Sequence, residues 1–82
     1  MMFEVEINLD LKDDLFSKIV FEALLPEVLN PPSSRVKVFM NHSPPKISLF
    51  FSSDNPSLLR AALNSFLRLI ILLEEIIKSL RM

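Results

Sequence analysis

Residues 56–80 predict one long helix with more apolar surface than a small domain can cover by itself. At about 3.6 residues per turn, its apolar residues form one broad stripe: Leu58, Leu59, Ala62, Leu63, Phe66, Leu69, Ile70, Leu73, Ile76, Ile77 and Leu80. Leu67 and Ile71 lie on the opposite, polar side, and Leu72 lies on its flank. Large apolar side chains away from a core face usually mark a contact with another chain. The segment therefore predicts a protein-binding domain.

Three shorter segments alternate between two kinds of residue, which is the pattern of half-buried strands. Residues 3–10 alternate apolar with mainly acidic side chains, and residues 35–40 alternate aliphatic with mainly basic ones. Residues 47–51 form the third strand. The chain contains no glycine, so the turn at 41–45 is not expected to be a tight two-residue hairpin.

A helix is predicted between the first two strands. Its expected inner stripe is Leu15, Phe16, Ile19, Val20, Ala23 and Leu24. Phe21 and Leu25 are expected on the outer side, among charged residues. Pro26 should end the helix near Leu25, because proline disfavours helical geometry just before it; one further turn at 27–29 stays open.

Both helix starts carry capping residues. Asp13 or Asp14 can cap the first helix, placing negative charge at the positive end of its dipole. Asp54 or Asn55, followed by Pro56, can cap the second.

The element order predicts one α+β domain over residues 1–82, a two-layer βαββα fold. Two helices are expected on one face of a three-stranded antiparallel sheet. The other face would be open and would carry Phe39 and Phe50 beside acidic residues of the first strand and basic residues of the second. A two-fold dimer through Phe39 and Phe50 would bury these rings and pair the acidic strand of one copy with the basic strand of the other.

Catalytic chemistry finds no support in the sequence. Without cysteine there is no thiol nucleophile or zinc finger, and without glycine the usual phosphate-binding loop is absent. His42, the one histidine, is expected to be a solvated turn residue. We predict a non-enzyme with no cofactor, metal or small-molecule substrate.

Nucleic-acid binding rests on one basic ridge. The order βαββα is shared with KH domains, but these hold RNA through a GXXG loop, which this chain lacks. Arg60, Asn64 and Arg68 are spaced four residues apart on one helix side, and Arg35 and Lys37 could extend this ridge from the sheet. Either a solvated helix face or an RNA contact fits this pattern.

The sequence around the second helix resembles a known family. The segment 59–68, Leu-Arg-Ala-Ala-Leu-Asn-Ser-Phe-Leu-Arg, preceded by Asp54, is similar to the Pcc family of KEOPS complex subunits, which includes the eukaryotic CTAG-type proteins. Segments 23–27 and 34–38 also look similar, so the resemblance covers nearly the whole chain.

The resemblance implies a function. KEOPS attaches a threonylcarbamoyl group to an adenosine of tRNAs that read codons starting with A, and the Pcc subunit is implied to be its non-catalytic, homodimeric scaffold. Its helices would dock the Kae-type transferase subunit, here through Phe21, Leu25, Leu67, Ile71 and Leu72. Contact with tRNA would occur within the complex. A stand-alone RNA-binding module and a paralogue that caps the dimer remain alternatives.

The chain start and its apolar runs predict the cellular location. The N-terminus lacks the basic and apolar regions of a signal peptide. The longest uninterrupted apolar run, 69–73, is shorter than the roughly 20 residues of a membrane span. We therefore expect a cytoplasmic protein with no membrane association.

Overall fold

The chain forms three strands and two helices in a computed structural model that describes residues 1–31 and 33–80. In chain order the elements are β1 (Phe3–Asp10), α1 (Asp14–Leu29), β2 (Val36–Ser43), β3 (Lys46–Ser53) and α2 (Pro56–Leu80). The predicted α+β fold and its βαββα order are confirmed. Pro32, in the predicted loop before β2, lies outside the described residues.

The sheet has β3 in its centre. The strand order is β1-β3-β2, and both neighbours run antiparallel to β3. Phe51 lies opposite Val5 on one side and Val38 on the other. Because β1 and β2 run in the same direction, α1 connects them as a crossover that passes over β3.

One face of the sheet packs against both helices. The buried apolar residues of this core are Val20, Leu24, Val36, Val38, Ile47, Leu49, Phe51, Leu59, Ala62, Phe66 and Ile70. The rings of Phe51 and Phe66 meet edge to face, with centroids 5.1 Å apart. The alternation along the strands leaves the opposite face without a covering layer in the described part of the chain, as predicted.

The C-terminal part of α2 extends past the sheet. Its 25 residues span about 37 Å, whereas an eight-residue strand spans about 27 Å. The last buried residue of α2 is Ile70, and Ile76 and Leu80 are 46% and 79% exposed. The prediction that these two residues belong to the core is therefore wrong, because no strand lies beneath them.

The rotation of α1 about its axis also differs from the prediction. Leu15 and Ile19, expected in the inner stripe, are exposed, while Ser17 is completely buried. Phe21, expected on the outer side, is half-buried and packs against the core. The buried side of α1 is turned by about 100°, the step of a single helical residue.

Pro26 does not end α1, which continues to Leu29. Proline removes the bond that its N–H would give to the carbonyl of Glu22. Both residues are exposed, so water can reach this carbonyl. The added turn places Val28 against the core, which favours continuing the helix.

Both predicted helix caps are present. The Asp13 carboxylate accepts a hydrogen bond from the Phe16 N–H at 2.9 Å. The Asn55 side chain accepts from the Ser57 and Leu58 N–H groups at 2.9 and 3.1 Å. Each cap satisfies backbone donors that the helix itself leaves unpaired.

The hairpin between β2 and β3 is tighter than predicted. Ser43 pairs with Lys46, so Pro44 and Pro45 alone connect the strands, joined by a cis peptide bond. His42 consequently lies within β2 and is half-buried, so the prediction of a solvated turn residue is wrong.

Candidate protein-binding surfaces

Four of the five predicted docking residues are exposed on the helices. Leu25 is 36% exposed, Leu67 39%, Ile71 56% and Leu72 51%. Phe21 is the exception: its ring stacks on the imidazole of His42, with centroids 4.7 Å apart and planes at 19°. The assignment of Phe21 to a docking surface is therefore corrected, because this ring is already packed within the domain.

The groove between the helices shows that the exposed docking residues do not share one surface. Glu27 of α1 and Ser65 and Leu69 of α2 line a depression of about 250 Å³. Leu25 is two residues from Glu27, and Leu67 is two residues from both Ser65 and Leu69. Two residues on a helix are about 200° apart. Leu25 and Leu67 therefore point away from the groove, toward opposite flanks of the helix layer.

Ile76 is an exposed apolar residue on the side of α2 that faces α1. The sequence predicts it as a core residue and not as a docking residue. Leu72 and Ile76 lie seven residues beyond Ser65 and Leu69, which is close to two turns, so they continue the groove side of α2. Ile76 is exposed because of the overhang of α2. The alternating spacing of three and four residues among 69, 72 and 76 is the signal that could have predicted this line.

The open face of the sheet has the arrangement that the sequence predicts. Phe39 and Phe50 are paired across β2 and β3 and are 67% and 38% exposed. Glu6 lies opposite Phe50 on the other side. A shallow depression of about 450 Å³ is lined by Phe39, Phe50, Glu4 and Glu6, among others. In the adjacent row Lys37 and Glu4 flank Ser52 from the two edge strands.

The predicted basic ridge is exposed along α2. Arg60, Asn64 and Arg68 all face solvent, and within residues 1–31 and 33–80 no ion pair joins either arginine. Arg35, in contrast, donates to the Asp54 carboxylate from Nη2 at 3.1 Å and from Nε at 3.3 Å. Its guanidinium is therefore paired with a carboxylate, unlike those of Arg60 and Arg68.

Ser17 and His42 do not form a catalytic pair. The Ser17 hydroxyl lies 3.0 Å from Nε2 of His42 and donates its proton to the Asp14 carbonyl at 2.8 Å. Ser17 is completely buried, so no substrate can reach its oxygen. Across the described part of the chain, no group of three His, Cys, Asp or Glu side chains is placed to hold a metal ion.

α2 is the one described helix that is long and apolar enough, by length and composition, to cross a membrane. A buried core helix in a soluble protein can meet the same criterion. The buried residues Leu59, Ala62, Phe66 and Ile70 attach the N-terminal half of α2 to the sheet.

Comparisons with known proteins identify the family. A search of curated proteins finds no match. A family model described as "Transcription factor Pcc1" matches residues 4–78, nearly the whole chain. The chain therefore belongs to the Pcc1 family of small subunits associated with the KEOPS complex.

Proposed function

We propose that this protein is a non-catalytic scaffold subunit of KEOPS that supports threonylcarbamoyladenosine modification of tRNA. The family match over residues 4–78 is the observation that carries this proposal. The exposed apolar residues on both layers support it, because a scaffold needs surfaces that bind other chains.

The open sheet face is the proposed homodimer interface. Phe39 and Phe50 supply its apolar centre, and Glu4 and Lys37 supply opposite charges on the two edge strands. A two-fold axis along β3 would place Glu4 of one copy near Lys37 of its partner, because the axis exchanges the two edges. This complementarity supports a second copy of the chain as the occupant.

The helix layer is the proposed docking surface for a Kae-type transferase subunit. Leu25, Leu67, Ile71 and Leu72 remain the proposed contacts. Since Leu25 and Leu67 face opposite flanks, a partner that contacts both must cover the whole layer, as a pair of helices can.

Contact with tRNA is proposed only within the assembled complex. Arg60, Asn64, Arg68 and Lys37 are the exposed groups that would take part, and Arg35 is omitted because Asp54 pairs with it. The two unpaired arginines also support the alternative of a stand-alone RNA-binding module. Two arginines on one helix can neutralise few phosphates, however, so we expect weak binding by the free subunit.

We also propose a cytoplasmic location without a membrane span, since α2 uses its N-terminal half as a core helix. Fractionation of cells that express the full chain tests this proposal: recovery with the membranes after a salt wash would contradict it.

The docking proposal is tested by Ile71→Asp in the full chain. Co-purification with the transferase subunit should be lost, because central apolar contacts commonly contribute more than about 2 kcal/mol, or roughly thirtyfold in affinity. Ser34→Asp, exposed in the turn before β2 and outside the helix layer, receives the same charge, is the matched control and should bind normally. Equal binding by both variants would place docking elsewhere, and unfolding of Ile71→Asp, seen by circular dichroism, would place Ile71 in the core.

The RNA alternative is tested by the affinity of the isolated protein for tRNA. Sub-micromolar binding at about 150 mM salt would favour the RNA-binding module. The double variant Arg60→Ala with Arg68→Ala should make the slope of log K against log salt concentration less steep. The expected change is about 0.9 for each phosphate that the variant no longer neutralises.

A further inference from the structure

The apolar pattern of α1 does not determine which of its sides is buried. Large apolar residues surround the helix: Leu15, Phe16, Ile19, Val20, Phe21, Leu24, Leu25, Val28 and Leu29. The structure nevertheless buries Ser17 completely while Leu15 is 66% exposed. Burying a hydroxyl is unfavourable unless it is hydrogen-bonded, so the partners of Ser17 bear on this rotation.

The partners of Ser17 are a backbone carbonyl of α1 and a side chain of β2. Ser17 Oγ donates its one proton to the Asp14 carbonyl at 2.8 Å. It must therefore accept the 3.0 Å hydrogen bond from His42, which requires a proton on Nε2. One turn further along α1, Phe21 stacks on the same imidazole. His42 thus contacts two successive turns of α1 from β2.

We propose that the Ser17–Phe21–His42 cluster selects the rotation of α1 and thereby decides which apolar side chains this helix presents to a binding partner. A turn of about 100° would bury Leu15 and Ile19 and expose Phe21, which is the arrangement expected in the sequence analysis. The cluster holds the opposite arrangement, with Leu15 and Ile19 outward. His42 is in this sense a positioning residue. The claim that the cluster sets the rotation of α1 is independent of the proposed function, whereas its consequence for docking rests on that function.

The first test uses the unmodified protein. Nitrogen chemical shifts of the single histidine should identify the Nε2–H tautomer at a pH where the ring is neutral, with an Hε2 signal protected from solvent exchange. In Ser17→Ala this protection should be lost. A neutral ring protonated on Nδ1, or equal exchange in both proteins, would overturn the proposal.

The second test measures rotation directly. The chain has no cysteine, so Ile19→Cys gives one thiol at an exposed position of α1. In the His42→Leu background, the loss of one hydrogen bond should shift the equilibrium between the two rotations about fivefold. Labelling of this thiol should slow in proportion to the fraction of molecules in which residue 19 is then buried. His42→Gln keeps an N–H donor and should restore the rate, and Asn41→Leu, the exposed neighbour in β2, should leave it unchanged. Equal labelling rates in all backgrounds would overturn the proposal. If His42→Leu fails to fold, the histidine tautomer of the first test decides whether the proposal stands.

Binding of the transferase subunit tests the docking consequence separately from the rotation of α1. His42→Leu should weaken co-purification, and His42→Gln should restore it. Unchanged binding by His42→Leu, despite slower labelling, would overturn the docking consequence. If the unmodified protein does not bind the transferase subunit, the proposed function fails, while the labelling rates still decide whether the cluster sets the rotation.

Discussion

Phe39→Asp is expected to dissociate the proposed homodimer. A phenylalanine side chain presents about 200 Å²; Phe39 is 67% exposed, so about 130 Å² is open to a partner. At about 25 cal/mol per Å², full coverage contributes about 3 kcal/mol per copy. Both copies of a two-fold dimer carry the ring, which doubles this value to about 6 kcal/mol. Even half of that total raises the dimer Kd about a hundredfold.

The molecular mass in solution checks this expectation. Sedimentation velocity across a concentration series should show a dimer for the unmodified protein and a monomer for Phe39→Asp. Ala61→Asp is the matched control, since Ala61 is exposed on α2, in the layer opposite the open sheet face, and receives the same charge. A dimer of unchanged Kd in Phe39→Asp, or a monomeric unmodified protein, would refute the assignment of the open sheet face.

Three further predictions concern the fold and are checked by urea denaturation. Phe66→Ala should lower the free energy of unfolding by about 3–5 kcal/mol, because this buried ring packs edge to face on Phe51; a decrease below about 1 kcal/mol would contradict the core assignment. Asn55→Ala should cost about 1 kcal/mol by removing the α2 cap, whereas Asn64→Ala, on the exposed side of the same helix, should be nearly neutral. Lys12→Gly should raise the free energy of unfolding by about 0.5–1 kcal/mol, because Lys12 has a φ of 61°, which a Cβ atom disfavours; a less stable variant would exclude this explanation.

The open sheet face shows how well short-range patterns predict placement. Phe39 and Phe50 face outward as predicted, because a period of two leaves each strand residue only two directions. The caps at Asp13 and Asn55 are equally local, since each bonds to N–H groups within three residues.

Burial and shared surfaces on the helices depend on distant parts of the chain, and these are the features that the sequence predicts poorly. Ile76 has the apolar character of a core residue, but burial also requires a strand beneath it, and α2 is longer than the sheet. Leu25 and Leu67 are exposed as expected, yet whether they share a surface depends on which sides of the two helices face each other. Sequence periodicity describes each helix separately and carries no information on that relation.

The sequence by itself determined the element order, the strand faces, the positions of both N-caps to within one residue and the membership of the Pcc1 family, because these follow from periodicity, local hydrogen bonding or the order of residues. Only the tertiary structure decided the rotation of α1. Apolar residues surround that helix, so several rotations bury similar area, and a hydrogen bond from His42 to Ser17, 25 positions apart in sequence, distinguishes them. The continuation of α1 past Pro26 was decided in the same way, by the packing of Val28 against a core formed by other elements.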